Sequence, residues 1–261
     1  MAAMAGFEGM EENLRATLAT FTRANPEGET SELPGVCLAS SAVEFGMYNS
    51  AVLTSPVSSV AELDRRIRAS AAFFASRGLP WSFWVCQGWL EKGVRSVAGE
   101  VFDQRNMRLV VELPGMEAAG LEPPRRPPPA LEYRRVRDAT TRADFARIMW
   151  LAFGISLPIA RAIYESERTW ESGFEGWVAY AGDLPVSTAA TVVTGSVAGV
   201  YAVGTPPAHQ RQGYAEAVMR HALDRIRPIQ RSVLQSSEAG YLLYQRMGYR
   251  TVTRYAVFAS K

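Results

Sequence analysis

The stretch from residue 206 to residue 215 combines residue types that favour anion binding. The pattern "GVYAVGT" predicts a strand before it, and "YAEAVMRHALDRI" predicts a helix that begins at Tyr214. First-turn amides of a helix lack intrahelical acceptors and lie at the positive end of its dipole, so they bind anions. Gly213 leaves room for a phosphate to approach the backbone. The predicted pyrophosphate site contains Gln210, Arg211, Gln212, Gly213, Tyr214 and Ala215. By itself, the stretch also fits an ordinary loop between a strand and a helix.

Two motifs in the second half of the chain resemble those of a known enzyme superfamily. The stretch "AVGTPPAHQRQGYAEAVM", residues 202–219, resembles motif A of the GNAT superfamily of acyl-CoA N-acyltransferases. Its matching positions are Val203, Thr205, Pro207, Gln210, Gly213 and Ala215. The stretch "LQSSEAGYLLYQRMGY", residues 234–249, resembles motif B, with matches at Ser237, Tyr244, Gly248 and Tyr249. The resemblance covers residues 131–259.

The resemblance implies a binding site for acetyl-CoA as the acyl donor. In that fold two neighbouring parallel strands separate at one end, and the gap holds the pantetheine arm as though it were another strand. Here the strands would be "VAGVYAVGT" and "RSVLQSS". The amides of Val203 and Thr205 would bind the arm. The pyrophosphate would lie on the turn from Gln210 to Ala215, assisted by the side chain of Gln210 or Arg211.

The resemblance also assigns roles to Tyr244 and Ser237. Tyr244 would lie near the thioester sulfur, where its hydroxyl, with a reference pKa of about 10, can protonate the departing thiolate. The spacing alone is also explained by Tyr244 being a core aromatic residue that packs with Leu243 and Met247. Ser237 is assigned to the cofactor site, although "SSEAGY" also fits a helix cap at Ser236 or Ser237.

The sequence does not identify a general base. Attack on a thioester needs a neutral amine, and five carboxylates lie in segments that border the acceptor cleft in the implied fold. They are Glu165, Glu167, Glu171, Glu175 and Asp183. The spacing distinguishes none of them as the base, and each also fits a carboxylate on the surface. A chain of water molecules can remove the proton in place of a side chain. His209 and His221 are expected to be structural or to face solvent.

The resemblance implies direct transfer of an acetyl group from acetyl-CoA to an amine in a ternary complex. The acceptor is a small molecule or a peptide that the sequence does not identify. Two alternatives stay open: a noncatalytic acyl-CoA-binding regulatory module, and an aminoacyltransferase on paired GNAT-like domains. The retained Tyr244 argues against the first alternative. The near-neutral charge and the intact coenzyme A motif argue against the second.

A proline-rich stretch divides the chain into two predicted domains. Five prolines within residues 123–129 exclude a helix or a central strand there. We predict an N-terminal domain at 1–122, a linker at 123–130 and a GNAT acetyltransferase domain at 131–261. The expected fold is mixed α/β, with two tandem GNAT-like domains, of which the first is degenerate, and a splayed mixed sheet. An unrelated α/β cap is the alternative for the first domain.

Strand and helix patterns alternate in both predicted domains. The second contains a strand, helices at 141–154 and 158–170, a three-stranded meander, the two motifs, and a last strand after Gly248. The first resembles the late part of a GNAT fold but lacks motif A, so we expect no second coenzyme A site. We expect Trp81, Trp84 and Trp89 to be core and interface residues.

Composition limits the classes of partner. The 28 basic and 26 acidic residues give a net charge of +2, which gives no reason to expect nucleic acid or an acidic membrane as a partner. Cys37 and Cys86 lack CxxC spacing, so we expect buried apolar residues and no metal. No apolar run approaches the roughly 18 residues of a bilayer span, and no secretory pattern is visible. We expect a cytoplasmic protein, and a homodimer is compatible with these features.

Overall fold

Strand and helix alternate throughout the computed structural model, which describes residues 6–171 and 173–260. Within these residues the helices are α1 (Glu8–Thr22), α2 (Val60–Ala75), α3 (Lys92–Asp103), α4 (Ala139–Phe153), α5 (Leu157–Tyr164), α6 (Glu167–Trp170), α7 (Tyr214–Asp224) and α8 (Glu238–Arg246). The strands are β1 (Glu29–Leu33), β2 (Val36–Ser40), β3 (Asn49–Leu53), β4 (Ser82–Cys86), β5 (Met107–Ala118), β6 (Glu132–Arg135), β7 (Phe174–Ala181), β8 (Leu184–Thr194), β9 (Val197–Gly204), β10 (Arg231–Gln235) and β11 (Arg250–Ser260). They form one mixed sheet in the order β1-β2-β3-β4-β11-β5-β10-β9-β8-β7-β6.

The centre of the sheet consists of the last strand of each half of the chain. β5 ends the first half and β11 ends the second, and they pair antiparallel over ten residue pairs. β5 also pairs with β10 of the second half, and β11 also pairs with β4 of the first. The two halves therefore exchange their terminal strands, and each half needs the other to complete its part of the sheet.

The same order of elements occurs in both halves. In the first half an antiparallel meander, β1-β2-β3, leads through α2 to β4, which pairs parallel to β3. In the second half the meander β7-β8-β9 leads through α7 to β10, which pairs parallel to β9. A further helix, α3 or α8, then precedes the terminal strand. This repeat confirms the mixed α/β class and the tandem arrangement that the sequence predicts.

Helices cover both faces of the sheet. The back face, as we call it, is covered by α2 and α3 in the first half and by α7 and α8 in the second. The front face is covered by α1, α4 and α5. Because side chains alternate between the two faces along each strand, the sheet has a core on each face. In β10, Leu234 lies on the back face and Val233 on the front face.

Helix α1, which the sequence patterns did not predict, contacts both halves of the sheet on the front face. Its Met10 and Leu14 belong to the same buried cluster as Val233 of β10 and Val52 of β3. Its buried Asn13 donates to the Val192 carbonyl at 3.0 Å and accepts from the Tyr201 hydroxyl at 2.7 Å. A Cβ at Gly199 would overlap the Asn13 side chain, so glycine there lets α1 approach β9.

The single helix predicted at 158–170 is wrong. α5 ends at Tyr164 and α6 begins at Glu167. The Thr169 hydroxyl donates to the Ile163 carbonyl at 2.5 Å, and Trp170 Nε1 donates to the Tyr164 carbonyl at 2.9 Å. These side chains satisfy carbonyls at the end of α5 and replace the helical hydrogen bonds there. The helix predicted at 141–154 is confirmed as α4, and it ends at Gly154 with a φ of 67°.

Other expectations for single residues agree with the structure. Gly248 has a φ of 99°, as expected for a left-handed residue after a helix. Trp81 and Trp84 are buried, as are Cys37 and Cys86. Trp89 is partly buried and packs edge-on against Phe7. Among the described residues, the helices are too short or too polar to cross a bilayer.

The proline-rich stretch lies between β5 and β6, and residues 119–131 form neither helix nor strand. It contacts the back-face helices: the Glu122 amide donates to the Met247 carbonyl at 2.9 Å, and Arg220 Nη2 donates to the Glu122 carbonyl at 2.7 Å. The domain boundaries at 122 and 131 stay a prediction. The exchanged strands join the regions on both sides into one sheet.

The strand exchange predicts that a fragment of residues 131–261 does not fold cooperatively, because it lacks the strand between β10 and β11. A fragment of residues 107–261 restores β5 and should unfold more cooperatively and aggregate less. Circular dichroism during heating, with size-exclusion chromatography, measures both properties. Cooperative melting of the 131–261 fragment within about 5 °C of the full chain would contradict the expectation.

Candidate functional site

The parallel strands β9 and β10 pair over only part of their length. The pairs are Arg231 with Val197, Ser232 with Ala198 and Val233 with Gly199. β9 continues to Gly204 and β10 to Gln235 without further pairing between them. The carboxyl ends of the two strands therefore separate, as the resemblance implies, and leave a gap that opens toward the predicted anion site.

A bulge in β9 lies beside this gap. The register with β8 shifts between the pairs Thr188–Gly204 and Ala190–Tyr201, and Ala202 has a φ of 51°. The bulge interrupts the ladder with β8 beside the gap, and the Ala202 carbonyl in it accepts from the Thr188 hydroxyl at 2.9 Å. Val203, one of the predicted cofactor residues, is half-buried at this point.

The turn after β9 is exposed, and its amides are free. No amide from Arg211 to Glu216 donates to a protein acceptor within the described residues. Arg211 and Gly213 both have positive φ, at 63° and 82°. Gly213 precedes α7 without a side-chain cap, and a Cβ there would have only Pro129 within 4 Å, at 3.7 Å. Free amides at a helix N-terminus form an anion site of the predicted kind.

Side chains in this turn make hydrogen bonds with one another. Gln210 Nε2 donates to the Thr205 carbonyl at 3.3 Å, and the Tyr214 hydroxyl donates to Gln212 Oε1 at 2.7 Å. The Thr205 hydroxyl lies 2.8 Å from Ser187 Oγ. Gln210 therefore holds the loop against the end of β9, while the Arg211 side chain is exposed.

The corresponding helix of the first half, α2, has a different N-terminus. The Ser59 hydroxyl accepts from the Glu62 amide at 3.2 Å, and the Glu62 carboxylate accepts from the Ser58 amide at 3.0 Å. Arg66 fills the preceding loop and donates to the carbonyls of residues 35, 55 and 56. Because Ser59 and Glu62 engage amides here and Arg66 spends its donors on backbone carbonyls, this N-terminus has fewer groups free to bind a phosphate than the turn before α7.

Tyr244 lies on the back face, in the helix that follows β10. It is 8% exposed, and a Cβ at Gly240 would come within 2.6 Å of its Cε2 atom, so glycine makes room for its ring. Its ring packs edge-on against Tyr249, with centroids 6.0 Å apart. Its hydroxyl has no hydrogen-bond partner among the described residues. Burial raises the pKa of Tyr244 well above its usual range, so the hydroxyl stays protonated at neutral pH.

Ser237 is the helix cap at this position, and Ser236 is not. Ser237 Oγ accepts from the Gly240 amide at 3.3 Å at the start of α8. Ser236 is buried, and its hydroxyl donates to the Ser237 carbonyl at 2.8 Å. Since β9 and β10 run parallel, Ser237 lies at the same end of the sheet as the turn after β9. Its predicted contact with the cofactor stays a prediction.

Three of the five carboxylates considered as bases form ion pairs. Glu165 pairs with Arg161, Glu167 with Arg142 and Glu175 with Arg135. The other two, Glu171 and Asp183, are exposed. None of the five is buried. Their environments are those of surface carboxylates.

His221 is part of an aromatic cluster. Its ring stacks on Tyr133 with centroids 4.1 Å apart and meets Trp177 edge-on. Burial lowers the pKa of His221, with a further lowering from Arg225, so the imidazole is favoured in its neutral form. In the part of the chain that the structure describes, no three His, Cys, Asp or Glu side chains form a metal-binding group.

Sequence reasoning missed Glu11, a fully buried carboxyl on α1. Burial raises the pKa of Glu11 to about 7, although the neighbouring Tyr255 hydroxyl, the hydrogen bond from Trp89 and the charge of Arg15 lower it. Trp89 Nε1 donates to Glu11 Oε2 at 2.8 Å. A Glu within an amphipathic helix gives no local signal of burial, because the sheet that covers it comes from distant strands.

Comparisons with known proteins agree with this geometry. The acetyltransferase (GNAT) domain family model matches residues 172–251, which include both motifs. A search of curated proteins found no match. A GCN5-related N-acetyltransferase from Kribbella flavida has a similar structure, with a TM-score of 0.74 and 16% identity over 99% of this chain and 96% of that one. A conserved protein of unknown function from Staphylococcus epidermidis ATCC 12228 matches with a TM-score of 0.63 and 12% identity, over 90% and 94% of the two chains.

A third similar structure is a GCN5-related N-acetyltransferase from Sphaerobacter thermophilus, with a TM-score of 0.55 and 15% identity over 87% of this chain and 76% of that one. At these identities the structural likeness establishes the fold, and the family match covers the gap and the turn. Residues 172–251 match the acetyltransferase (GNAT) domain family, and the whole chain has a fold similar to that of the GCN5-related N-acetyltransferase from Kribbella flavida.

The raised pKa of Glu11 predicts a pH-dependent stability. The unfolded carboxyl has the lower pKa, so the stability that Glu11 contributes is present in acid and is lost as pH rises through about 7. Glu11→Gln removes this dependence. The melting temperature of Glu11→Gln minus that of the wild type should therefore increase by on the order of 5 °C between about pH 5 and about pH 8. A difference that stays constant across this range would contradict the burial of an ionisable group at this position.

Proposed function

We propose that the protein transfers an acetyl group from acetyl-CoA to the amine of a small molecule or peptide in a ternary complex. The observation that carries the proposal is the row of free amides from Arg211 to Glu216, next to the gap between β9 and β10. Such a row suits a pyrophosphate, and such a gap suits an extended arm that makes backbone hydrogen bonds. Coenzyme A contains a pyrophosphate and an extended pantetheine arm, one directly after the other.

The residues around the gap fit coenzyme A along its length. Backbone groups of Val203 and Thr205 would bind the pantetheine arm beside the bulge. The pyrophosphate would lie on the turn, where Gly213 presents no side chain and the exposed Arg211 adds positive charge. The capped N-terminus of α2 offers no equivalent, so we expect one coenzyme A per chain.

Tyr244 would complete the chemistry at the thioester. The amine nitrogen bonds to the thioester carbon and loses a proton to a base or to water, the carbon–sulfur bond breaks, and the Tyr244 hydroxyl protonates the thiolate and then regains a proton from solvent. Its raised pKa keeps the proton on the hydroxyl until the thiolate forms. A thiolate formed in the same water-poor place is also desolvated and therefore more basic than in water, which favours the transfer.

Gly213→Glu should abolish coenzyme A binding, because the new carboxylate would occupy the pyrophosphate position and repel it. Gly195→Glu is the matched control, since Gly195 also has a positive φ, at 54°, with nothing within 4 Å of its Cβ position. Calorimetry should find one site per chain in the wild type and in the control, and affinity lowered at least roughly a hundredfold in Gly213→Glu. Two equivalent sites, or equal affinity in both variants, would refute the assignment.

Tyr244→Phe should lower turnover by roughly ten- to a thousandfold and leave coenzyme A affinity almost unchanged. The ring is kept, and the hydroxyl has no hydrogen-bond partner within residues 6–171 and 173–260, so the melting temperature should change little. Tyr241→Phe, one helical turn earlier, is the control, since its hydroxyl lies near Thr251 and Gln245. Thiol release from acetyl-CoA with a panel of amines measures the effect. Full activity of Tyr244→Phe would remove this hydroxyl from the mechanism.

A further inference from the structure

The front face of the sheet contains a buried carboxylate that the proposed function leaves without a role. Glu11 Oε2 accepts a hydrogen bond from Trp89, but Oε1 has no hydrogen-bond partner of good geometry among the described residues. Folded proteins pair nearly all of their buried polar atoms, because an unpaired one is costly. The unpaired Oε1 atom of Glu11 is therefore free to take up a proton.

Two more buried polar atoms without good hydrogen bonds lie beside Glu11. They are the Tyr255 hydroxyl on β11 and Gln235 Nε2 at the end of β10. The Tyr255 hydroxyl interacts with both the Glu11 carboxylate and the Gln235 amide. A Cβ at Gly115 of β5 would come within 2.8 Å of Tyr255 Cε2, so glycine there lets the tyrosine extend across β5 toward β10. We call Glu11, Tyr255 and Gln235 the front-face polar cluster.

The front-face polar cluster lies where β9 and β10 separate. Gln235 is two residues beyond Val233, the last residue of β10 that pairs with β9. Tyr201 is two residues beyond Gly199 on the other strand, and its hydroxyl faces α1. Tyr244 lies on the back face, in the helix that follows β10. A thioester in the gap would therefore have Tyr244 on one side and the front-face polar cluster on the other.

We propose that Glu11 accepts the proton that the acceptor amine loses, and that the Tyr255 hydroxyl relays it. This inference rests on the acetyl transfer proposed above. As the amine nitrogen bonds to the thioester carbon, Tyr255 takes a proton from the nitrogen and gives its own to Glu11 Oε1. The carbon–sulfur bond breaks, and Tyr244 protonates the thiolate. Glu11 then loses its proton to solvent, and Tyr244 regains one from solvent.

The charges around Glu11 suit this role. Burial raises its pKa to about 7, so the carboxyl can exchange a proton near neutral pH. The other titratable groups that face it are Arg15 on its own helix, Cys86 on β4, Tyr201 on β9 and Tyr255 on β11. Burial raises the pKa of the thiol and of both phenols, so these three groups stay neutral. Glu11 is then the member of this set whose charge changes near pH 7.

The relay gives the first half of the chain a part in the reaction. Glu11 and the Trp89 that holds it both precede the proline-rich stretch, whereas the coenzyme A site follows it. The helix α1 places Glu11 over the central strands that the two halves exchange. The acceptor side of the site is therefore incomplete without the first half.

Kinetics of the full chain test the inference through Glu11→Gln. Thiol release from acetyl-CoA would be followed with tyramine, spermidine and glycylglycine as probe amines. With the best of these, Glu11→Gln should lower kcat/KM at least roughly a hundredfold at pH 7 and remove the rise of the rate through about pH 7. Glu11→Asp should keep that rise at reduced activity. Glu12→Gln, at the exposed neighbouring position, should match the wild type.

Tyr255→Phe tests the relay separately and serves where Glu11→Gln fails to fold. It keeps the buried ring and should lower kcat to a similar extent with little change in coenzyme A affinity. Activity of Glu11→Gln within about threefold of the wild type, with the same pH profile, would overturn the role of Glu11. Full activity of Tyr255→Phe would overturn the relay.

Calorimetry of coenzyme A binding tests the same residue without turnover. Coenzyme A is an anion, and its negative charge in the gap raises the pKa of the Glu11 carboxyl further, so wild-type affinity should fall relative to Glu11→Gln from about pH 6 to about pH 8. If no probe amine releases thiol with the wild type, the proposed transfer fails for these amines, and calorimetry still decides the inference. Identical pH dependence in the two proteins would overturn it.

Discussion

The antiparallel pairing of β5 with β11 is the interaction on which the rest of the structure depends. These two strands, one from the end of each half, lie side by side at the centre of the sheet and connect β4 on one side to β10 on the other. Because each half contributes a strand to the other, the position of β10 depends on β5. The gap beside β10 is therefore held by residues of the first half, although the motifs that surround it all lie in the second.

The two faces of this sheet carry different polar groups. On the back face, α7 begins at the free amides of the turn, and α8 carries the buried Tyr244. On the front face, α1 covers the same strands and buries polar side chains, among them Glu11 and Asn13. The first half has lost the features of an anion site, since Ser59 caps α2 and Arg66 fills its loop. Under the proposed mechanism it contributes to the acceptor side instead.

Local patterns predicted the turn and its helix because glycine and free amides act over a few residues, and the spacing from Tyr244 to Gly248 placed the second motif on a helix. The exchange of β5 and β11 leaves no local trace, because it pairs residues more than a hundred positions apart. Helix α1 escaped prediction because Glu11, Asn13 and Thr17 are polar at positions that face the sheet. Glu11 could not be found as a titratable candidate, since its pKa depends on burial by strands distant in sequence.

The central claim is that one coenzyme A site lies on the turn after β9, and hydrogen exchange of the full chain tests it most directly. Adding coenzyme A should slow exchange of the amides from Arg211 to Glu216, which have no acceptor in the part of the chain that the structure describes. Exchange in residues 54–60, at the equivalent position of the first half, should stay unchanged. Protection at residues 54–60, or unchanged exchange at 211–216 with saturating coenzyme A, would contradict the account.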